Sequence, residues 1–101
     1  MMKVVYITFP NKKSAKEIAR LLLKKKLIAC ANIYAIDSLY TWKGEVADES
    51  EFVLWAKTNR EKIKDIENLV QANHQYEVPC IVNFDVEANS AYANWVTQTL
   101  K

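Results

Sequence analysis

The residues best suited to chemistry gather in one short stretch, His74-Gln75-Tyr76-Glu77-Val78-Pro79-Cys80. It holds the only histidine of the chain, one of its two cysteines and one of its two prolines. A neutral imidazole is a good metal ligand and a good general base near neutral pH. Glu77 adds an oxygen donor, and Cys80 or the distant Cys30 adds a thiolate. Imidazole, thiolate and carboxylate together suit zinc or copper better than magnesium. The spacing nevertheless matches no standard structural metal module. His74 therefore has two readings, a hydrogen-bonding residue at a helix end or a ligand. Cys80 opens a strand and reads as a small buried apolar side chain. Cys30 reads as a structural thiol that shares a strand face with Ile28, Asn32 and Tyr34. As a nucleophile Cys30 would need a nearby base and a depressed pKa, and only His74 could supply the base. Trp42, Trp55, Trp95, Tyr76 and Tyr92 exceed what one small core needs. Beyond packing, they could line a cleft for a ligand or anion, with Lys57 as the charged partner.

The elements that must position these groups follow from periodicity. Residues 3–9, Lys-Val-Val-Tyr-Ile-Thr-Phe, are rich in β-branched and aromatic side chains, end at Pro10, and read as a buried strand. An amphipathic helix follows, with Ala15, Ile18, Ala19 and Leu22 on one face and lysines in its last turn. Ser14 and Glu17 have capping-box spacing, and Asn11 is an alternative cap. Residues 28–42 and 45–58 read as two strands joined by Lys43-Gly44, the only glycine, which accepts the positive φ of a hairpin turn. Thr58 and Glu61 suggest a second capping box, before a helix with Ile63, Ile66 and Val70 on one face that ends near Asn73. Residues 80–86 read as a fourth strand. Asn89 or Ser90 can cap a last helix carrying Tyr92, Trp95, Val96 and Thr99. The order βαββαβ plus a terminal helix predicts an α+β, ferredoxin-like sandwich, one domain over residues 1–101. That fold hosts many functions and proves none.

The totals exclude more than they assign. A net charge of +2 is too small to argue for nucleic acid, which needs several clustered phosphate contacts. Lysines do cluster, at Lys12, Lys13 and Lys16 and at Lys24, Lys25 and Lys26, as the solvated face of a helix or as steering for an acidic ligand. RNA-recognition modules share the element order but need a glycine-rich basic-aromatic strand, which one hairpin glycine cannot provide. The sequence offers no signal peptide or membrane span, so a cytosolic address is expected, with both cysteines reduced.

The hairpin is long for the domain. A strand of about 15 residues spans roughly 50 Å at ~3.3 Å per residue, against a globule of roughly 33 Å diameter. It must bend, break at a bulge, or project. If it projects, Leu39, Tyr40 and Trp42 near its tip are covered most simply by another copy, so self-association is expected.

The segments together resemble the CutA family of divalent-cation tolerance proteins. The resemblance spans nearly the whole chain. It rests on Thr8-Phe9-Pro10, residues 27–33 (LIACANI), residues 38–46 (SLYTWKGEV), Glu51 with Lys57-Thr58, residues 74–79 (HQYEVP), and Tyr92 followed by Trp95. It implies a PII-like, ferredoxin-like fold and a homotrimer in which long hairpins wrap neighbouring subunits. It also implies a non-enzymatic link to divalent ions, copper first among them. The site it implies is a cleft between subunits. On this chain the cleft takes Trp42, Glu51, Lys57, Tyr76, Tyr92 and Trp95 as ligand-binding residues and His74, Cys30 and Glu77 as metal ligands. The alternative is a PII-like sensor of a small anionic metabolite in the same cleft. Two positions depart from the family pattern. Gln75 stands where proline is usual, which removes a φ constraint. Cys80 stands where glutamate is common, which exchanges an oxygen donor for a thiol.

Overall fold

A computed structural model describes residues 2–101. The elements are β1 (Met2–Phe9), α1 (Lys12–Lys24), β2 (Cys30–Trp42), β3 (Glu45–Asn59), a short 3-10 turn (Arg60–Lys62), α2 (Ile63–Asn73), β4 (Ile81–Val86) and α3 (Ser90–Thr99). The four strands form one antiparallel sheet in the order β2-β3-β1-β4, the ferredoxin-like arrangement expected from the element order.

One face of the sheet is buried under α1 and α2. Val5, Ile7 and Phe9 of β1 and Leu54 and Ala56 of β3 meet Ala15, Ile18, Ala19 and Leu22 of α1 and Ile66 and Val70 of α2. Fully burying one such aliphatic or aromatic side chain is worth about 1.5–3 kcal/mol, so this layer holds the helices. Ile28 lies ahead of β2 and is buried in this core, not on the strand face expected to carry it with Cys30. The opposite face has no helix over most of its area. α3 covers one end of it, where Met2, Ala29, Val96 and Leu100 pack together.

The caps separate local signals from tertiary ones. Asn11 caps α1, its side chain accepting from the Ser14 N–H at 2.8 Å. Thr58 is not a cap. It is a fully buried residue of β3, and its hydroxyl donates to the Leu27 carbonyl at 2.6 Å. Pairing of Lys3 with Thr58 carries the strand through a position whose local spacing suggested a helix start. α1 ends without glycine. Lys26 adopts φ 55°, and the Lys26 and Leu27 N–H groups close back on the Leu23 and Leu22 carbonyls, the double bond pattern of a Schellman end.

The hairpin projects. Pairing between β2 and β3 is continuous from Cys30 opposite Lys57 to Trp42 opposite Glu45, so no bulge folds it back. β1 supports β3 only as far as Phe9 opposite Phe52, which leaves the outer part a two-stranded ribbon. Lys43 and Gly44 form its tip with φ of 52° and 82°, as a twisted two-residue turn requires. The molecule measures 45 × 25 × 21 Å.

Candidate functional site

Strand alternation decides which candidates share a face. Glu51, Val53, Trp55 and Lys57 of β3 point to the face away from α1 and α2. So do Cys30, Asn32, Tyr34 and Ile36, which pair with them on β2. Tyr6, Trp55 and Phe84 run across the middle of this face in edge-to-face contacts at 6.3 and 5.3 Å. The candidates then divide between its two ends. Glu51 and Lys57, six residues apart on one strand, lie roughly 20 Å apart at ~3.3 Å per residue.

At the hairpin end, residues 74–80 arch over the sheet. His74 fixes the arch. Its Nε2 lies 2.7 Å from the Thr8 carbonyl oxygen, which can only accept, so Nε2 carries the hydrogen. Its Nδ1 then accepts the Tyr76 N–H at 3.0 Å. The ring stacks on Phe9 with centroids 4.7 Å apart. Both nitrogens are occupied, so His74 offers no free lone pair to a metal in this geometry. Tyr76, placed by that bond, donates its hydroxyl to Glu51 Oε2 at 2.5 Å. Glu51 is 5% exposed. Burial first, then the bond to Glu51, raise the Tyr76 phenol well above its ordinary value.

Between this arch and the hairpin lies a groove of about 790 Å³. Trp42, Glu51, Tyr76 and Glu77 line it. Tyr40 of the hairpin and Glu49, which the sequence did not single out, line it too, and the Tyr40 hydroxyl donates to Glu49, a pairing the sequence reading did not anticipate. The hairpin register held the signal. With the turn at Lys43-Gly44, Ser38 stands opposite Glu49 and Tyr40 is diagonal to it. Gln75 and Cys80 also reach the groove. Burial, with Glu51 nearby, pushes the Cys80 thiol up and so favours the thiol over the thiolate that soft metals bind.

At the α3 end, Cys30 pairs with Lys57 across the ladder. The Lys57 ammonium donates to Asn32 Oδ1 and lies 4.0 Å from Cys30 Sγ. Tyr92 of α3 reaches Cys30, and burial together with that contact raises the Tyr92 phenol. Tyr92 and Trp95 sit with ring centroids 5.6 Å apart, and Trp95 is 47% exposed. Lys57 is therefore not a neighbour of Trp42 or Tyr76 within one chain. Cys30 is likewise not a neighbour of His74, so no thiol–imidazole pair forms. Among the described residues no group of three or more His, Cys, Asp and Glu side chains is placed to hold a metal ion. The expected ligands His74, Cys30 and Glu77 are not brought together by a single copy.

The family model for the CutA1 divalent ion tolerance protein matches residues 3–99. The chain belongs to the CutA family. The divalent-cation tolerance protein CutA of Thermotoga maritima is 42% identical over 100 residues, covering 98% of this chain and 99% of its own. Protein CutA of Homo sapiens is 37% identical over 99 residues, covering 96% of this chain and 55% of its own length. The solved structure of the periplasmic divalent cation tolerance protein CutA from Archaeoglobus fulgidus superposes with a TM-score of 0.96 at 36% identity, covering all of both chains. The CutA fold is thus the frame on which Gln75 and Cys80 are placed.

Proposed function

We propose that this CutA-family chain is a non-enzymatic protein that assembles as a homotrimer and binds divalent cations, copper first among them. The observation that carries the reading is the division of the candidate residues between two ends of one uncovered sheet face. One end is acidic, with Glu51 and Glu77; the other carries Lys57. Copies related by rotation would set the acidic end of one against the Lys57 end of the next, a head-to-tail contact that closes into a ring. Leu39 at 69% exposed, Val46 at 73% and Trp42 at 43% supply apolar area on the projecting hairpin for such a contact.

A cation held in such an assembly takes donors from more than one copy. Cys30 and Glu77 are the open donors, and His74 would first have to release Thr8 or Tyr76. A cytosolic setting fits the two free thiols. No described helix is long and apolar enough to cross a membrane. Partners other than self and cations, nucleic acid included, have no support in a net charge of +2. Calorimetric titration of copper into the wild type, Cys30→Ser, Glu77→Gln and His74→Ala tests the reading. Weakening of tenfold or more in Cys30→Ser and Glu77→Gln supports it. Identical binding by all four removes these residues from the site.

A second reading, a PII-like sensor of a small anionic metabolite, rests on Lys57 at Cys30, which Tyr92 also reaches with Trp95 tilted against it. Thermal-shift responses to a nucleotide and metabolite panel without metal, lost in Lys57→Met, would favour it.

A further inference from the structure

The net charge of +2 hides an asymmetry. Residues 12–26, α1 and the two residues after it, hold seven of the 14 basic residues and one of the 12 acidic ones, a local charge of +6. The remaining seven basic and eleven acidic residues leave −4 for the rest of the chain. Helical geometry concentrates the positive charge. At 3.6 residues per turn Lys13, Lys16, Arg20 and Lys24 fall within an arc of about 80°, and they extend over roughly 16 Å at ~1.5 Å per residue. The buried Ala15, Ile18, Ala19 and Leu22 lie on the opposite side of the helix, so packing on the sheet points the stripe outward. The sheet face proposed above as the contact between copies is on the other side of the molecule. Assembly through that face leaves the stripe in solvent.

All four cations are exposed. The ion pairs among the described residues are those of Lys3 and Arg60 with Asp85, so none neutralises the stripe. Lys12 lies over the Phe52 ring and Lys26 donates to the Lys101 main-chain oxygen, so both are engaged elsewhere. Glu17 stands at the edge of the stripe, and Asp65 of α2 shares a shallow recess with Lys25 to one side of it. Leu23, one turn from Arg20 and two from Lys16, is 41% exposed. No aromatic, asparagine or glutamine lies in the stripe to stack on a base or read its edge. A lipid surface fits this set better. Four cations held in one row by a core-anchored helix meet anionic headgroups, and the leucine among them enters the layer beneath.

We propose that the outer face of α1 docks on an anionic phospholipid surface. Lys13, Lys16, Arg20 and Lys24 contact the headgroup phosphates and carboxylates, and Leu23 supplies a shallow apolar contact. This docking needs neither a bound divalent cation nor the cleft between copies.

Co-sedimentation of the full chain in its native assembly with vesicles of equal parts phosphatidylserine and phosphatidylcholine tests it, with pure phosphatidylcholine vesicles as the neutral control. Anisotropy of labelled duplex DNA and labelled poly-glutamate is measured in the same buffer. The expected result is binding to the anionic vesicles and none to the neutral ones. That binding is lost between about 0.1 M and about 1 M salt, as the screening length falls from ~10 Å to ~3 Å. Lys16→Gln combined with Arg20→Gln weakens it about twentyfold, at roughly fivefold per cation. Leu23→Gln weakens it about twofold or more. Lys62→Gln combined with Lys64→Gln, an equal loss of charge on α2, changes it by less than about twofold. Thermal melts and light scattering show each variant folded and assembled as the wild type. Absence of binding to the anionic vesicles, or equal binding to the neutral ones, overturns the proposal. Equal weakening by the two double variants makes net charge the cause and overturns it too. So does binding of duplex DNA or poly-glutamate as tight as that of the anionic vesicles.

Discussion

The two ends of the uncovered sheet face hold their polar groups by different means. At the hairpin end Glu51 is 5% exposed, and its support comes from Tyr76, which His74 positions through its backbone. At the α3 end Lys57 is half-buried and reaches Asn32 and Cys30 along a flexible stem. The first arrangement is a chain of dependent contacts from Thr8 to His74 to Tyr76 to Glu51. The second is a set of side chains on adjacent strands that needs no loop to align it. Damage at the hairpin end should therefore spread, whereas damage at the α3 end should remain local.

His74→Ala should have the largest effect. It removes two hydrogen bonds of about 1 kcal/mol each and a ring stack of about 0.5–1.5 kcal/mol. Chemical denaturation should report a loss of roughly 2.5–3.5 kcal/mol; a loss below about 0.5 kcal/mol would show that the arch does not depend on this ring.

Tyr76→Phe comes next. It strips the donor from a buried carboxylate, at a cost of about 1–3 kcal/mol. The same residue sets an alkaline signature. Burial and the Glu51 bond raise its folded-state phenol above the ordinary 10.0. A raised folded-state value means that the unfolded chain loses its proton first, so the contribution is complete below pH 10 and falls as pH rises beyond it. Urea melts between about pH 8 and pH 11 should show a shallower alkaline decline in Tyr76→Phe than in the wild type. Parallel curves would detach the phenol from the buried carboxylate.

Lys57→Met, at the other end, should leave the stability of a single copy within about 0.5 kcal/mol. A loss as large as that of Tyr76→Phe would erase the contrast between the ends. Asp85→Asn, outside both ends, should change least. A hydrogen bond from Lys3 first, helped by its charge and by Arg60, holds the Asp85 carboxyl below its ordinary 3.8. That contribution is present above pH 3.8 and is lost as pH falls through the depressed value. The variant should therefore flatten only the acid limb of a pH–stability curve, and a change at neutral pH larger than that of Lys57→Met would contradict the ranking.

The sequence was most legible where one element sufficed. Ala15, Ile18, Ala19 and Leu22 follow helical spacing, and all four are buried. Lys43-Gly44 forms the hairpin turn, and the hairpin projects, one of the outcomes its length allowed, with β2 starting at Cys30 rather than Ile28. Legibility failed where distant segments decide. Thr58 has the spacing of a cap, but pairing with β1 holds it in a strand. Lys26 ends α1 in a conformation that glycine usually takes. His74 had two readings, hydrogen-bonding residue or ligand, and the oxygen that favours the first belongs to Thr8, 66 positions away. The split of the candidates between two ends was likewise invisible, since it depends on where α3 and residues 74–80 pack on the sheet.

The central claim is that the two ends form complete sites only between copies. Size-exclusion chromatography with light scattering at micromolar concentration tests it most directly. The account predicts a mass about three times that of the 11.7 kDa chain. A monodisperse species of 11.7 kDa would contradict it.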